Sequence, residues 1–116
     1  MVRVHKAGMV IHPVEDLSEA IRFYTEVLGL ELRFQDGERF AALAAGEVTL
    51  GLAAAEERVH DHPVVSYKVD DVDQAVADLV AGGASLLRSP EDGPHERRAV
   101  LRDPAGNGLV VYQPLR

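Results

Sequence analysis

The chain has 116 residues, no cysteine and a formal net charge of −7, from 12 Lys and Arg against 19 Asp and Glu. The missing cysteine excludes disulfides, thiolate metal ligands and cysteine nucleophiles. The acidic balance argues against nucleic acid and anionic membranes as partners, since both need a basic footprint. A composition 47% apolar and 27% charged fits one folded domain with its own core. Residues 1–6 lack the basic-then-apolar pattern of a signal peptide. No apolar run approaches the roughly 20 residues that span a bilayer. The expected location is therefore the cytoplasm.

Val4 to His12 reads as a strand, with a β-branched apolar run that Pro13 ends. Asp16 and Ser18 supply N-cap chemistry, and Leu17, Ala20, Ile21, Tyr24, Val27 and Leu28 recur at helical spacing before Gly29. Strand-like runs follow at Glu31–Gln35, Arg39–Leu43 and Val48–Leu52, with a hairpin signal at Asp36-Gly37. Ala53 to His62 reads as a connector and Pro63–Val69 as another strand. Asp71 starts a second amphipathic helix, carrying Val72, Ala75, Val76, Leu79 and Val80, which Gly82-Gly83 stops. Ser85–Arg88 predicts a short strand and Ser89 to Pro94 a turn-rich loop with two prolines. Arg97–Arg102 and Gly108–Gln113 predict two last strands around the tight turn Asp103-Pro104-Ala105-Gly106-Asn107.

The order strand, helix, three strands therefore occurs twice. Asp16-Leu17 echoes Asp71-Val72, Ala20-Ile21 echoes Ala75-Val76, and Gly29 falls near the place of Gly83. Such self-similarity suggests a duplicated unit.

Three segments carry a resemblance. Residues 14–30 hold an Asp-Leu at the helix start, then Phe23-Tyr24, then Leu28-Gly29. Val69-Asp70-Asp71-Val72-Asp73 is a matching strand-to-helix junction, and Arg102 to Asn107 gives an Asp-Pro-x-Gly-Asn turn before the last strand. Together they resemble the glyoxalase/bleomycin-resistance/dioxygenase (vicinal oxygen chelate) superfamily over nearly the whole chain. The resemblance implies an α+β fold of two paired βαβββ modules, whose curled mixed sheet surrounds a cup. It implies one domain over residues 1–116, with modules at about 4–54 and 63–114, and a homodimer.

Metalloenzymes of that family hold a divalent ion on residues that face the cup. Carried over by position, the first ligand falls seven residues before Asp16, on Met9. The second falls five before Val69, on Val64, and the third three after Asn107, on Val110. The remaining one falls near Leu50 to Leu52. None of these side chains suits a hard or borderline ion, so no metal and no cofactor are expected. His60, Asp61 and His62 are the alternative chelating group, read here as a solvated loop. His12 is expected on the face opposite Met9, and His5 and His95 carry no spacing signal.

Strand alternation then predicts the lining of a ligand site: Met9, Ile11, Arg39, Leu50, Leu52, Val64, Ser66, Arg98, Val110 and Tyr112. Lys68 and Ala41 are further companions. The lining is mostly apolar with a few polar groups, as in small-molecule sites. The expected function is metal-independent binding of a small molecule, an antibiotic or a metabolite. The alternatives are a metal-dependent lyase, isomerase or dioxygenase with relocated ligands such as His60 and His62; a metal-free isomerase or cyclase using Tyr112, Ser66 or an arginine; and a partner subunit with no small ligand.

Overall fold

The protein is described by a computed structural model covering residues 1–115. The elements are β1 (Val4–Pro13), α1 (Leu17–Arg22), β2 (Glu31–Asp36), β3 (Phe40–Ala45), β4 (Val48–Ala53), β5 (Val64–Val69), α2 (Val72–Ala81), β6 (Ser85–Asp92), β7 (Glu96–Arg102) and β8 (Gly108–Pro114). This is the α+β pattern of two βαβββ modules. Both modules use one topology. The strands run β2-β3-β4-β1 in the first and β6-β7-β8-β5 in the second. In each, the first strand lies parallel to the fourth while the others pair antiparallel. The chain divides into two compact units, Met9–Pro63 and Met1–Gly8 with the segment from Val64 onward, so β1 is split between them.

In the Met9–Pro63 unit, the Asp16 carboxylate accepts from Glu19 N at 3.1 Å and caps α1. The helix does not run on as α to Leu28. It passes into a single π turn, Phe23–Val27, closed by Leu28 N donating to Phe23 O at 3.0 Å. The Thr25 hydroxyl donates to Ile21 O at 2.7 Å there, a back-bond of the kind that bends helices. Register pairs Ala41 with Leu52 and Leu43 with Leu50, so these four share one face. They form a core with Leu17 and Ala54, and Ala20, Ile21 and Tyr24 of the helix segment pack on it. The opposite face carries Phe40, Ala42, Gly51 and Ile11.

In the other unit, Asp71 caps α2 by accepting from Gln74 N at 3.1 Å. A Schellman motif ends the helix: Gly83 N donates to Val80 O, Ala84 N donates to Leu79 O, and Gly83 takes φ +117°. Val72, Ala75 and Val76 of α2 pack on Val69, Ala99, Leu101 and Val111. The expected loop from Ser89 is instead a continuation of β6 to Asp92. Pro90 is tolerated because β6 is the last strand of its run and its pairing with β7 is broken by two register shifts. In the turn before β8, Asp103 Oδ1 accepts from Ala105 N and Asn107 N, both at 2.9 Å, and Gly106 takes φ +95°.

Candidate functional site

The sheet face turned away from α2 brings several expected residues together. Ser66 stands beside Val110 and Lys68 beside Tyr112 on β5 and β8; Val100 and Arg98 of β7 stand opposite the same pair. Val64, two residues before Ser66, shares the face. Val64, Ser66, Val100 and Val110 are all buried, and among the described residues Ser66 is the one polar side chain so enclosed. Tyr112 reaches across this face. A Cβ built on Gly8 would overlap the Tyr112 hydroxyl and lie 2.7 Å from Cζ. Burial first, and the negative charge of Glu96 second, push the Tyr112 phenol above its ordinary range.

The Met9–Pro63 unit presents an apolar surface of its own. Ile11 lies beside Gly51, and a Cβ on Gly51 would meet Met9 Sδ at 2.6 Å and the Phe40 ring at 3.3 Å. Three expectations are corrected here. Leu50 and Leu52 belong to the core under α1, so Gly51 takes their place beside Met9. Ala41 lies in that same core, and Phe40 and Ala42 replace it. Arg39 precedes β3, and its guanidinium donates to Asp36 Oδ2 at 3.0 and 3.2 Å and to Glu56 Oε1 at 3.3 Å. The Asp36 carboxylate, then that of Glu56, raises the Arg39 pKa. The physical cause of the first two corrections is phase, since one residue along a strand exchanges the faces; Arg39 is outside the strand and held by two carboxylates.

The model of the Glyoxalase/Bleomycin resistance protein/Dioxygenase superfamily matches residues 6–111. The chain belongs to this superfamily. A protein of Mycolicibacterium smegmatis, described as uncharacterized, is 47% identical over 97% of each chain. The fold is similar to that of a glyoxalase/bleomycin resistance protein/dioxygenase superfamily member from Vibrio splendidus, with TM-score 0.69 and 18% identity over 97% of this chain and 99% of that one. It is similar also to methylmalonyl-CoA epimerase from Mycobacterium tuberculosis, with TM-score 0.68 and 21% identity over 97% and 90%.

A divalent ion does not fit the side chains at the positions that the sequence resemblance implies for it. Met9 offers a thioether packed over Gly51, and Val64 and Val110 offer only hydrocarbon, both buried. Ions of this kind need converging nitrogen or oxygen ligands. Among the described residues no three His, Asp or Glu side chains converge as such a group. The His60 and His62 rings lie 4.8 Å apart, but Asp61 accepts from His62 Nδ1 at 3.0 Å. That bond is the first cause of the lowered Asp61 pKa. His12 stacks on Tyr24 with ring centroids 6.2 Å apart, on the α1 side.

Gly8, Gly51 and Gln113 are not among the expected site residues, and His5 carries no spacing signal in the sequence. Gly8 and Gly51 are strand glycines, and such glycines signal a close approach; that signal was present. His5 donates through Nε2 to Asp70 Oδ1 at 2.7 Å, across 65 positions of sequence, and no local pattern announces it. Gln113 accepts the first N–H of α2, from Val72, at 2.7 Å.

Proposed function

We propose that this superfamily member binds a small, largely aliphatic molecule and does so without a metal. The observation that carries the reading is the β5–β8–β7 face. At positions where relatives in the superfamily hold ligating side chains, Val64 and Val110 flank one enclosed hydroxyl, Ser66, with Tyr112 and Arg98 at the margin. Apolar walls with a few fixed polar groups are the usual make-up of such sites. The chain has no Trp, three Phe and three Tyr. Flat drugs are commonly held by aromatic stacking, so an aliphatic metabolite suits the face better than a planar antibiotic. The protein is proposed to work as a homodimer in the cytoplasm.

A thermal-shift screen of aliphatic acids, esters and thioesters, beside planar antibiotics, tests this. Stabilisation by an aliphatic class, lost in Val110→Glu, is expected. A panel without a hit, or hits confined to planar drugs, overturns it. Elemental analysis after dialysis against Ni, Zn, Mn and Fe(II) should find no stoichiometric ion; one tightly held ion per chain would refute metal independence.

A second reading has its own observation. The Tyr112 hydroxyl reaches across this face toward Gly8, where a phenol O–H can donate to a developing oxyanion on a bound carbonyl compound. Metal-free isomerisation would then lose rate in Tyr112→Phe with KM little changed.

A further inference from the structure

Ser66 is 4% exposed, and its neighbours across the face are Val110 of β8 and then Val100 of β7. Val64 stands two residues before it on the same side of β5. Among the described residues no hydrogen bond reaches the Ser66 hydroxyl, and its oxygen is not sealed inside the protein. A hydroxyl buried among valines without a partner is costly, so packing alone does not account for a serine here. Tyr112 leans from β8 toward Gly8 on β1, and β5 lies between those two strands. The ring therefore stands over the strand that carries Ser66. Cations are poorly placed for this hydroxyl. Arg88, in the same row, is three strands away on β6, about 14 Å at the usual strand spacing. Lys68 lines a recess that it shares with Asp70, and Arg98 stands beside Glu91.

We infer, on the basis of the aliphatic site proposed for this face, that Ser66 is its specificity-determining residue and selects a neutral carbonyl oxygen, that of an aliphatic ketone, ester or thioester. The Ser66 hydroxyl donates to that oxygen, while Val64, Val100 and Val110 take the hydrocarbon around it. A ligand without an acceptor leaves the buried hydroxyl unpaired. A carboxylate would lose its water among valines, with Lys68 and Arg98 each beside a carboxylate of the chain already. A neutral carbonyl avoids both costs.

The test is a ¹H–¹⁵N correlation titration of the full chain with methyl propyl ketone, with butyl chloride, whose chlorine accepts hydrogen bonds poorly, and with sodium butyrate. Saturable shifts are expected at the backbone amides of Ser66, Tyr67 and Val110, with the ketone bound tightest. Ser66→Ala should weaken the ketone about five- to tenfold, the size of one neutral hydrogen bond, and leave butyl chloride unchanged. Its midpoint of chemical denaturation should stay the same or rise, because the hydroxyl has no partner within the protein to lose. A clear fall in that midpoint would assign the hydroxyl a structural bond and overturn its role in selection. Ketone and chloride bound equally, with Ser66→Ala altering neither, would overturn Ser66 while the aliphatic site stands. Tighter butyrate would overturn the neutral class. Val110→Glu should abolish the shifts of every probe; shifts that persist there, or a native chain that binds no probe, would overturn the aliphatic site and this inference with it.

Discussion

The end of the Tyr112 side chain occupies the volume that a side chain at position 8 would fill: a Cβ on Gly8 would lie 2.7 Å from Tyr112 Cζ and 2.8 Å from Cε1. Gly8 does not adopt a positive φ, so backbone freedom is not its reason for being glycine. The requirement is room for a ring, and a ring cannot bend away as a thioether can. Gly8→Ala should therefore cost about 1–3 kcal/mol, the usual range for overpacking. In a Tyr112→Ala background the same change should cost close to nothing. Chemical denaturation of the four chains of this cycle measures the coupling, and an equal cost in both backgrounds would refute the steric account.

Gly51 presents the contrasting case. Its neighbour is the far end of Met9, with Sδ 2.6 Å from a built Cβ, and an unbranched thioether has rotamers to spare. Gly51→Ala should cost about 1 kcal/mol or less. Leu52→Ala, on the other face and fully buried, should cost about 2–5 kcal/mol. Equal losses for the two variants would mean that position 51 does not face Met9.

Gln113 is a helix cap supplied from 41 residues away, because its carbonyl oxygen accepts the Val72 N–H at 2.7 Å. Helix starts leave such N–H groups without intrahelical partners. Gln113→Leu should lose about 1 kcal/mol of stability, the cost typical of a deleted cap. Hydrogen exchange at Val72 should quicken more than exchange at Leu101. Unchanged protection at Val72 would show that the bond does not hold the helix start.

Acid should loosen the turn before β8. Hydrogen bonds from the Asn107 backbone and side chain, then Ala105 and Gly106, hold the Asp103 carboxyl below the usual range. A folded-state pKa below the unfolded one gives stability that is present above the unfolded pKa, near 3.9. That stability is lost as pH falls through the folded value. Asp73, lowered chiefly by its bond from Arg97, acts in the same sense. Asp103→Asn should lower the thermal midpoint at pH 7 and have little effect near pH 2. A deficit that stays constant with pH would show that the charge on Asp103 is not what stabilises the turn.

Much of this protein is legible along the chain because its signals are local. Helix caps at Asp16 and Asp71, the αL glycines at positions 29, 83 and 106 and the β-branched runs each act within a few residues. Repeated twice, they specify the βαβββ order, and with the three motif segments they identify the superfamily. The misplacements are local as well. Leu50 and Leu52 are expected on the ligand face from the resemblance, but alternation puts them in the core under α1 and turns Gly51 the other way. Pro90 suggested a loop, where being the last strand of the run lets it stay in β6.

The sequence by itself determined that the chain builds two like modules of the superfamily's βαβββ pattern. Tertiary structure alone decided which residues meet. Tyr112 over Gly8, Gln113 on Val72 and His5 on Asp70 are pairs separated by tens of residues. Hydrogen bonding and packing act over a few ångströms of space and leave no period in sequence, so only strand register and the parallel crossovers bring these partners together.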